Sequence, residues 1–342
     1  MTQPGGDSAR RPAVVRPHGT ARGYTLVLLA AACWAGGGLM AKWLFSDAGP
    51  ATADWPFPPL GIAIDPSTLS AARAMVSFAL ITVYLLLRRR EQLKVRARDL
   101  PFLAFFGVFG LALVHFAYFK TISLTGVAAA ILLEYLAPVI VLVFSVLFLK
   151  ERLTVALPAS VGLSVLGCAL MVGVLGPGGV AIPAEGLAWG LASAVFFAGY
   201  TLMGRYAASR FSPWTLLAYG LGAASMFWLV VLGGPSSVLT VLSDVRALAA
   251  VTAMAVVSTV IPFGAFLKAL HYIPATQASV TSTVEPVIAG VVAWVIMNEV
   301  LTVGQMLGGA LVIAAVVLSQ ARVGVTPEMP TGELLGEDAE GA

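Results

Sequence analysis

Lys120 to Thr154 reads KTISLTGVAAAILLEYLAPVIVLVFSVLFLKERLT, and Lys268 to Thr302 reads KALHYIPATQASVTSTVEPVIAGVVAWVIMNEVLT. The two stretches align without a gap at a constant offset of 148 (268 − 120). Lys120 meets Lys268, Pro138 meets Pro286, Val139 meets Val287, Glu151 meets Glu299, and Leu153-Thr154 meets Leu301-Thr302. A second match precedes each of these. Gly23 to Trp43 pairs with Gly186 to Tyr206 at an offset of 163 (186 − 23), so that Ala35-Gly36 meets Ala198-Gly199, Leu39-Met40 meets Leu202-Met203, and Lys42 meets Arg205. A duplicated hydrophobic unit is the sequence signature of many secondary transporters.

The repeats sit in a chain of 342 residues that is 59% hydrophobic and 11% charged, with a mean hydropathy of +0.92. A soluble domain carries about 25% charged residues, so the deficit places the chain in lipid. Apolar runs fall near 24–45, 67–87, 101–119, 126–149, 155–175, 187–206, 213–232, 248–267, 274–297 and 303–320. Each is long enough to cross a hydrocarbon core of roughly 30 Å as a helix. The pattern predicts an all-α integral membrane fold of ten transmembrane helices, with almost no room for a soluble domain. Gly, Ala and Ser recur inside the spans, where helix backbones must approach closely.

Basic residues set the expected orientation. Arg10, Arg11, Arg16 and Arg22 precede span 1, six cations between Arg88 and Arg98 fill the loop after span 2, Lys150 and Arg152 follow span 4, and Arg205 and Arg210 follow span 6. All fall on one side if the N-terminus is cytoplasmic. The opposite loops carry Asp47, Asp54, Asp65, Glu185 and Asp244, with Arg246 as their clear cation. Ten spans return the C-terminus to the cytoplasm as well. The net charge of +3 is thus a topology signal and does not point to nucleic acid. Cys33 and Cys168 both lie within spans, which suggests neither a disulfide framework nor a metal site. Residues 1–22 are rich in Pro, Gly and Arg and read as a disordered tail. Span 1 is too long for a typical signal-peptide core and has a repeat-mate in span 6. Residues 323–342 carry five acidic residues with Pro and Gly and read as a second, acidic disordered tail.

The repeats then run over 23–175 and 186–320, five spans each. An odd number of spans makes the second copy enter from the opposite side, giving two inverted repeats with substrate bound near the midplane between them. Spans 1–4 and 6–9 are expected to surround a polar pocket, with spans 5 and 10 at the periphery. Chain breakers separate the spans: DWPFPP at 54–59, GPGG at 176–179 and GGP at 233–235. The loop at 46–66 is the longest and is expected outside.

The twice-present pattern P-x(12)-E-x-L-T after a small-residue helix resembles the EamA family of the drug/metabolite transporter superfamily, over about 24–320 of this chain. Trp34 followed by small residues in span 1, Arg73 in span 2, and Gln305 and Gly308 after Glu299 match the family pattern. The first repeat departs from it, with Leu157 and Ser160 at the positions after Glu151 and its glycine at Gly162. LEY at 133–135, STVIP at 258–262 and VEP at 284–286 are similar to the threonine/homoserine exporter branch. The resemblance implies a ten-helix exporter or importer of small metabolites.

Charges deep in lipid carry the chemistry. Glu134 lies about 12 Å into span 4 and Glu285 about 16 Å into span 9, at about 1.5 Å per residue. An ionised carboxylate at that depth is costly and normally faces a cavity or a partner. Both either contact a substrate amine or carry protons, since burial favours the neutral acid, or else they pin helices together as protonated or paired groups. They are not repeat-mates: Glu134 aligns with Ser282 and Glu285 with Ala137. Arg73, about two turns into span 2, could hold a substrate carboxylate with its planar guanidinium, pair with Glu134 or Glu285, or snorkel outward. His115 in span 3 is either a proton relay or a neutral, hydrogen-bonded core residue. Tyr135, beside Glu134, and Tyr200, one turn past Phe196, are expected to line the pocket, whereas Tyr118 and Trp34 read as core or interface aromatics.

Other signals read as structural. Lys42, Lys120, Arg205 and Lys268 end spans as snorkelling anchors, and Glu151 and Glu299 start spans where a carboxylate complements the helix dipole. Pro138, Pro286 and Pro262 interrupt helical hydrogen bonding, and the duplicated pair is expected to bend helices beside the cavity. Gly304 and Gly308 have GxxxG spacing, which suits packing within the chain or, alternatively, a homodimer. Three histidines, His18, His115 and His271, none at metal-ligand spacing to another His or Cys, argue against a membrane enzyme. No P-loop is present for ATP-driven pumping. A non-transporting receptor would not need two deep carboxylates. A secondary transporter of a small amino acid or related amine, in the cell membrane, without cofactor, is the expected function.

Overall fold

The computed structural model describes residues 17–45, 61–62, 64–148, 154–173, 182–297 and 301–320. Residues 1–16 of the expected N-terminal tail, the whole of the C-terminal one, the DWPFPP and GPGG breakers, Glu151, Glu299 and the side chain of Lys42 lie outside the described residues, whereas residues 17–22, expected to be disordered, are helical and open the helix Pro17–Phe45.

Every regular element among the described residues is helical. In chain order they are α1 (Pro17–Phe45), α2 (Pro66–Arg88), α3 (Leu100–Gly107), α4 (Leu113–Thr125), α5 (Val127–Glu134), α6 (Ala137–Leu147), α7 (Ala156–Met171), α8 (Ala184–Ala207), α9 (Pro213–Val231), α10 (Ser236–Ser243), α11 (Val245–Ala255), α12 (Ile261–Ala269), α13 (Ala275–Ser282), α14 (Glu285–Met297) and α15 (Val303–Gln320). Seven helical stretches are long and apolar enough to cross a membrane: Pro66–Arg88, Ala97–Thr125, Val127–Leu147, Ala184–Ala207, Pro213–Val231, Val245–Ala269 and Val303–Gln320. Ala156–Met171 is a shorter apolar helix.

Local chemistry starts and stops these helices. Asp65 caps α2 by accepting from the backbone N–H groups of Ser67 (3.0 Å) and Thr68 (2.9 Å), ahead of Pro66 at the first position. Burial pushes the Asp65 carboxyl up, but the hydrogen bonds from Ser67 and Thr68 outweigh it and hold the group below its ordinary value. Ser212 and Asp244 cap α9 and α11 in the same way. Gly126, at φ +90, takes a backbone conformation open mainly to glycine and turns α4 into α5.

The duplication is visible in the elements themselves. Two π-helical turns, Val108–Ala112 between α3 and α4 and Val256–Val260 between α11 and α12, stand 148 residues apart (256 − 108). α5 and α13 begin at the same offset (275 − 127), and so do α6 and α14 (285 − 137). Two helix breaks, at Tyr135–Leu136 and at 283–284, are therefore one feature made twice. Pro138 and Pro286 stand in the first turn of the helix after each break, where a missing N–H costs nothing, and Pro262 starts α12 directly after a π-turn. The expected bends are thus true interruptions, and they precede the prolines.

One large core joins α1, α2, α3, α4, α8, α9, α11 and α12, with Phe106, Tyr200 and Phe266 among its fully buried side chains. α7 and α15 pack on each other beside it. A Cβ on Gly308 would stand 2.6 Å from the Met171 backbone nitrogen and 2.7 Å from the Gly167 carbonyl oxygen, and one on Gly167 would stand 2.8 Å from the Gly308 carbonyl oxygen. Gly308 therefore serves a crossing within the chain. The two ends of the bundle are tied by ion pairs, Lys120 to Glu185 (3.2 Å) at one and Arg210 to Asp99 (2.7 Å) at the other. The first, with Glu185 well exposed, contributes at most about 1 kcal/mol, whereas in the second Asp99 is buried. Lys120 thus has a carboxylate partner in addition to its place at a helix end.

Candidate functional site

Arg73, His115, Glu134, Tyr135 and Glu285 converge on one cavity of about 60 Å³. That is several times the roughly 10–15 Å³ that one water requires. Two kinds of wall enclose it.

The first wall, from α1, α2 and α4, presents the nitrogen-bearing side chains of Trp34, Arg73 and His115. Arg73 is buried, at 4% exposure. Its Nη2 donates to Thr259 Oγ1 (2.7 Å) and to the Ser258 carbonyl (3.4 Å), and its guanidinium carbon lies 4.8 Å from the centre of the Phe119 ring. Arg73 thus reaches the π-turn of the other repeat and meets no carboxylate at ion-pair distance among the described residues, so of the sequence alternatives the pairing with Glu134 or Glu285 is not made. Its Nε has no partner. The Nε2 of His115 and the Nε1 of Trp34, both lining the same cavity, also have none. Unpartnered buried polar atoms are rare, because each costs about 1–3 kcal/mol of lost hydration. His115 stacks edge-on against Phe263 (4.8 Å), its own repeat-mate at the 148 offset. Trp34 stands among Phe197, Phe263 and Phe266 at 5.3–5.7 Å.

The second wall, at the two helix breaks, presents acceptors. Glu134 ends α5 and accepts a hydrogen bond from the Ser193 hydroxyl of α8. Glu285 starts α14. The Tyr135 hydroxyl lies 2.6 Å from Glu285 Oε2 and 3.1 Å from the Ser282 carbonyl, sharing its one proton between them. Glu285, at 8% exposure, is the more deeply buried acid, whereas Glu134 is half-buried.

Of the residues singled out in sequence, Glu134, Glu285, Arg73, Tyr135 and His115 all line this cavity. Tyr200 does not. It is fully buried behind the wall, donates to the Phe263 carbonyl (2.8 Å) and packs on Phe106, Phe197, Phe263 and Phe266. Trp34 and Tyr118, read from sequence as core or interface aromatics, do line it. Ser193, Thr259 and Phe263 had no sequence signal as site residues, although STVIP at 258–262 was conspicuous as a motif.

With this geometry in view, the comparison with known proteins is direct. Residues 59–173 and 184–320 each match the EamA-like transporter family. The chain belongs to that family. The two matched segments of this EamA chain are its two repeats, so the duplication read from Lys120 and Lys268 is the family's own domain present twice. An uncharacterized transporter of Archaeoglobus fulgidus is 31% identical over 217 residues, covering 61% of this chain and 74% of its own length. The pseudopaline exporter CntI of Pseudomonas aeruginosa is 27% identical over 262 residues, covering 75% of this chain and 89% of its own. A solved crystal structure with 23% identity shares the fold at a TM-score of 0.68, over 89% of this chain and 97% of that one. This EamA chain is therefore a multi-pass integral membrane protein of a transporter family.

Proposed function

We propose that the protein is a secondary transporter of ten spans in two inverted five-helix repeats, with both termini cytoplasmic. It exports a small amino acid, or a related amine or carboxylate, across the cytoplasmic membrane by alternating access, in exchange for protons. The observation that carries this reading is the meeting, in one cavity between the repeats, of the unpartnered N–H donors of Arg73 and Trp34 and the unpartnered ring nitrogen of His115 with the acceptors of Glu134 and Glu285. A zwitterion satisfies both walls at once: its carboxylate suits the guanidinium and its ammonium suits an acid. Two acids against one guanidinium leave one acid free to hold a proton in place of a cationic amine, which is the elementary requirement of exchange. A relative named as an exporter supports the outward direction.

Flux through proteoliposomes containing the purified protein tests the reading. Against a panel of the common amino acids, homoserine and simple polyamines, at least one amino acid should accumulate when a pH gradient is imposed. Equal flux with and without the gradient removes proton exchange, and no flux of any amino acid removes the substrate class. Topology has its own test. Cysteines placed at Thr52 and at Glu91, in a background without Cys33 and Cys168, should be labelled from opposite faces of the membrane. Labelling of both from one face would exclude the ten-span arrangement.

A further inference from the structure

We infer that Tyr135 is a positioning residue that fastens the helix break of one repeat to that of the other through Glu285, so that Glu134 alone meets the transported cation. This rests on the transporter reading and divides the labour within its acidic pair.

Three observations lead to it. First, the bond joins equivalent places. The break at Tyr135–Leu136 and the break at 283–284 correspond at the 148 offset, and the Tyr135 hydroxyl spans from one to both sides of the other, at Ser282 and Glu285. Second, Glu285 is already committed. It begins α14, where a carboxylate complements the helix N-terminus, and it accepts from Tyr135 at 2.6 Å. The Ser282 carbonyl, left without a helical donor at the end of α13, takes the rest of that hydroxyl. Third, each acid receives one side-chain hydrogen bond among the described residues, Glu134 from Ser193, but Glu134 ends a helix where Glu285 starts one, and it is the more exposed of the two. The position matching Glu285 in the first repeat is Ala137, so the joint is made once, and the two halves cannot exchange its parts.

A fastening of this kind governs how fast the halves move past each other and leaves the fit of the cargo alone. Transport of tritiated L-threonine in proteoliposomes separates the two. Tyr135→Phe and Glu285→Gln should each lower the maximal rate about tenfold, the equivalent of one hydrogen bond, with KM within about twofold of wild type. The double variant should lose no more than the worse single one. Glu134→Gln should instead raise KM. A raised KM in Tyr135→Phe, or losses that multiply in the double variant, would overturn the assignment. Melting of the four proteins in detergent gives a readout that needs no substrate: the two drops should not add. If wild type moves no L-threonine in either direction, the amino-acid reading suffers alone, and additive melting drops would still sink the joint.

Discussion

Glutamine at Glu134 should uncouple transport from a pH gradient while leaving the protein folded. The amide keeps the size of the side chain and an oxygen that can still accept from Ser193, so the packing of α5 on α8 survives. It can neither hold an exchangeable proton nor carry a negative charge. The charge-assisted hydrogen bond to an amine is worth about 1.5–3 kcal/mol, so apparent affinity for an amino acid should fall roughly 10- to 100-fold. Uphill accumulation should vanish, because no group remains to exchange a proton for the amine, while slow downhill exchange persists. The measurement is flux in proteoliposomes with and without the imposed gradient. Accumulation by Glu134→Gln equal to wild type would mean that this carboxylate is structural.

The second large effect is on stability. Valine at Gly308 should cost about 3 kcal/mol or more, because its Cβ would press on the backbone nitrogen of Met171 and the carbonyl oxygen of Gly167 at 2.6 and 2.7 Å. Backbone atoms cannot yield as a side chain can, so α15 must lift off α7, and overpacking penalties of about 1–3 kcal/mol are a lower bound. The melting midpoint in detergent should drop by roughly 5–10 °C. Gly304 is the internal control: a Cβ there meets only the Thr302 hydroxyl, at 3.9 Å. Gly304→Val should melt within a degree or two of wild type. Equal melting of the two variants would contradict the close crossing and return the GxxxG pair to a role between chains.

Sequence alone carried the all-helical class and the duplication because the repeated stretch is long and its offset never slips between Lys120 and Thr154. It carried the depth of Glu134 and Glu285 too, since depth is counted along the chain. What it could not carry was direction and partnership. The prolines were legible as interruptions, yet Pro138 and Pro286 stand just after the breaks, because proline is as well suited to open a helix as to bend one. Arg73 was legible as a buried cation, but its partner Thr259 lies 186 residues away and is one hydroxyl among many. Ser193 is a small residue in a helix full of them. Tyr200 and Trp34 occupy comparable depths in matching helices, so nothing in hydropathy tells which ring faces the cavity and which stands behind it.

The π-turns bear on the last point. Each of Val108–Ala112 and Val256–Val260 accommodates a residue more than an α-helical path would need. Taking the surplus residue out of Val108–Ala112 would close the turn to an α-helical path between the same ends and leave His115 and Tyr118 aimed at the cavity. Taking one residue out of the regular helix at Leu113 or Val114 would instead turn everything after it by about 100° at 3.6 residues per turn. Each repeat thus carries one residue of slack just ahead of its cavity-lining side chains. A single-codon deletion is absorbed inside the slack and rewrites the cavity lining one turn beyond it.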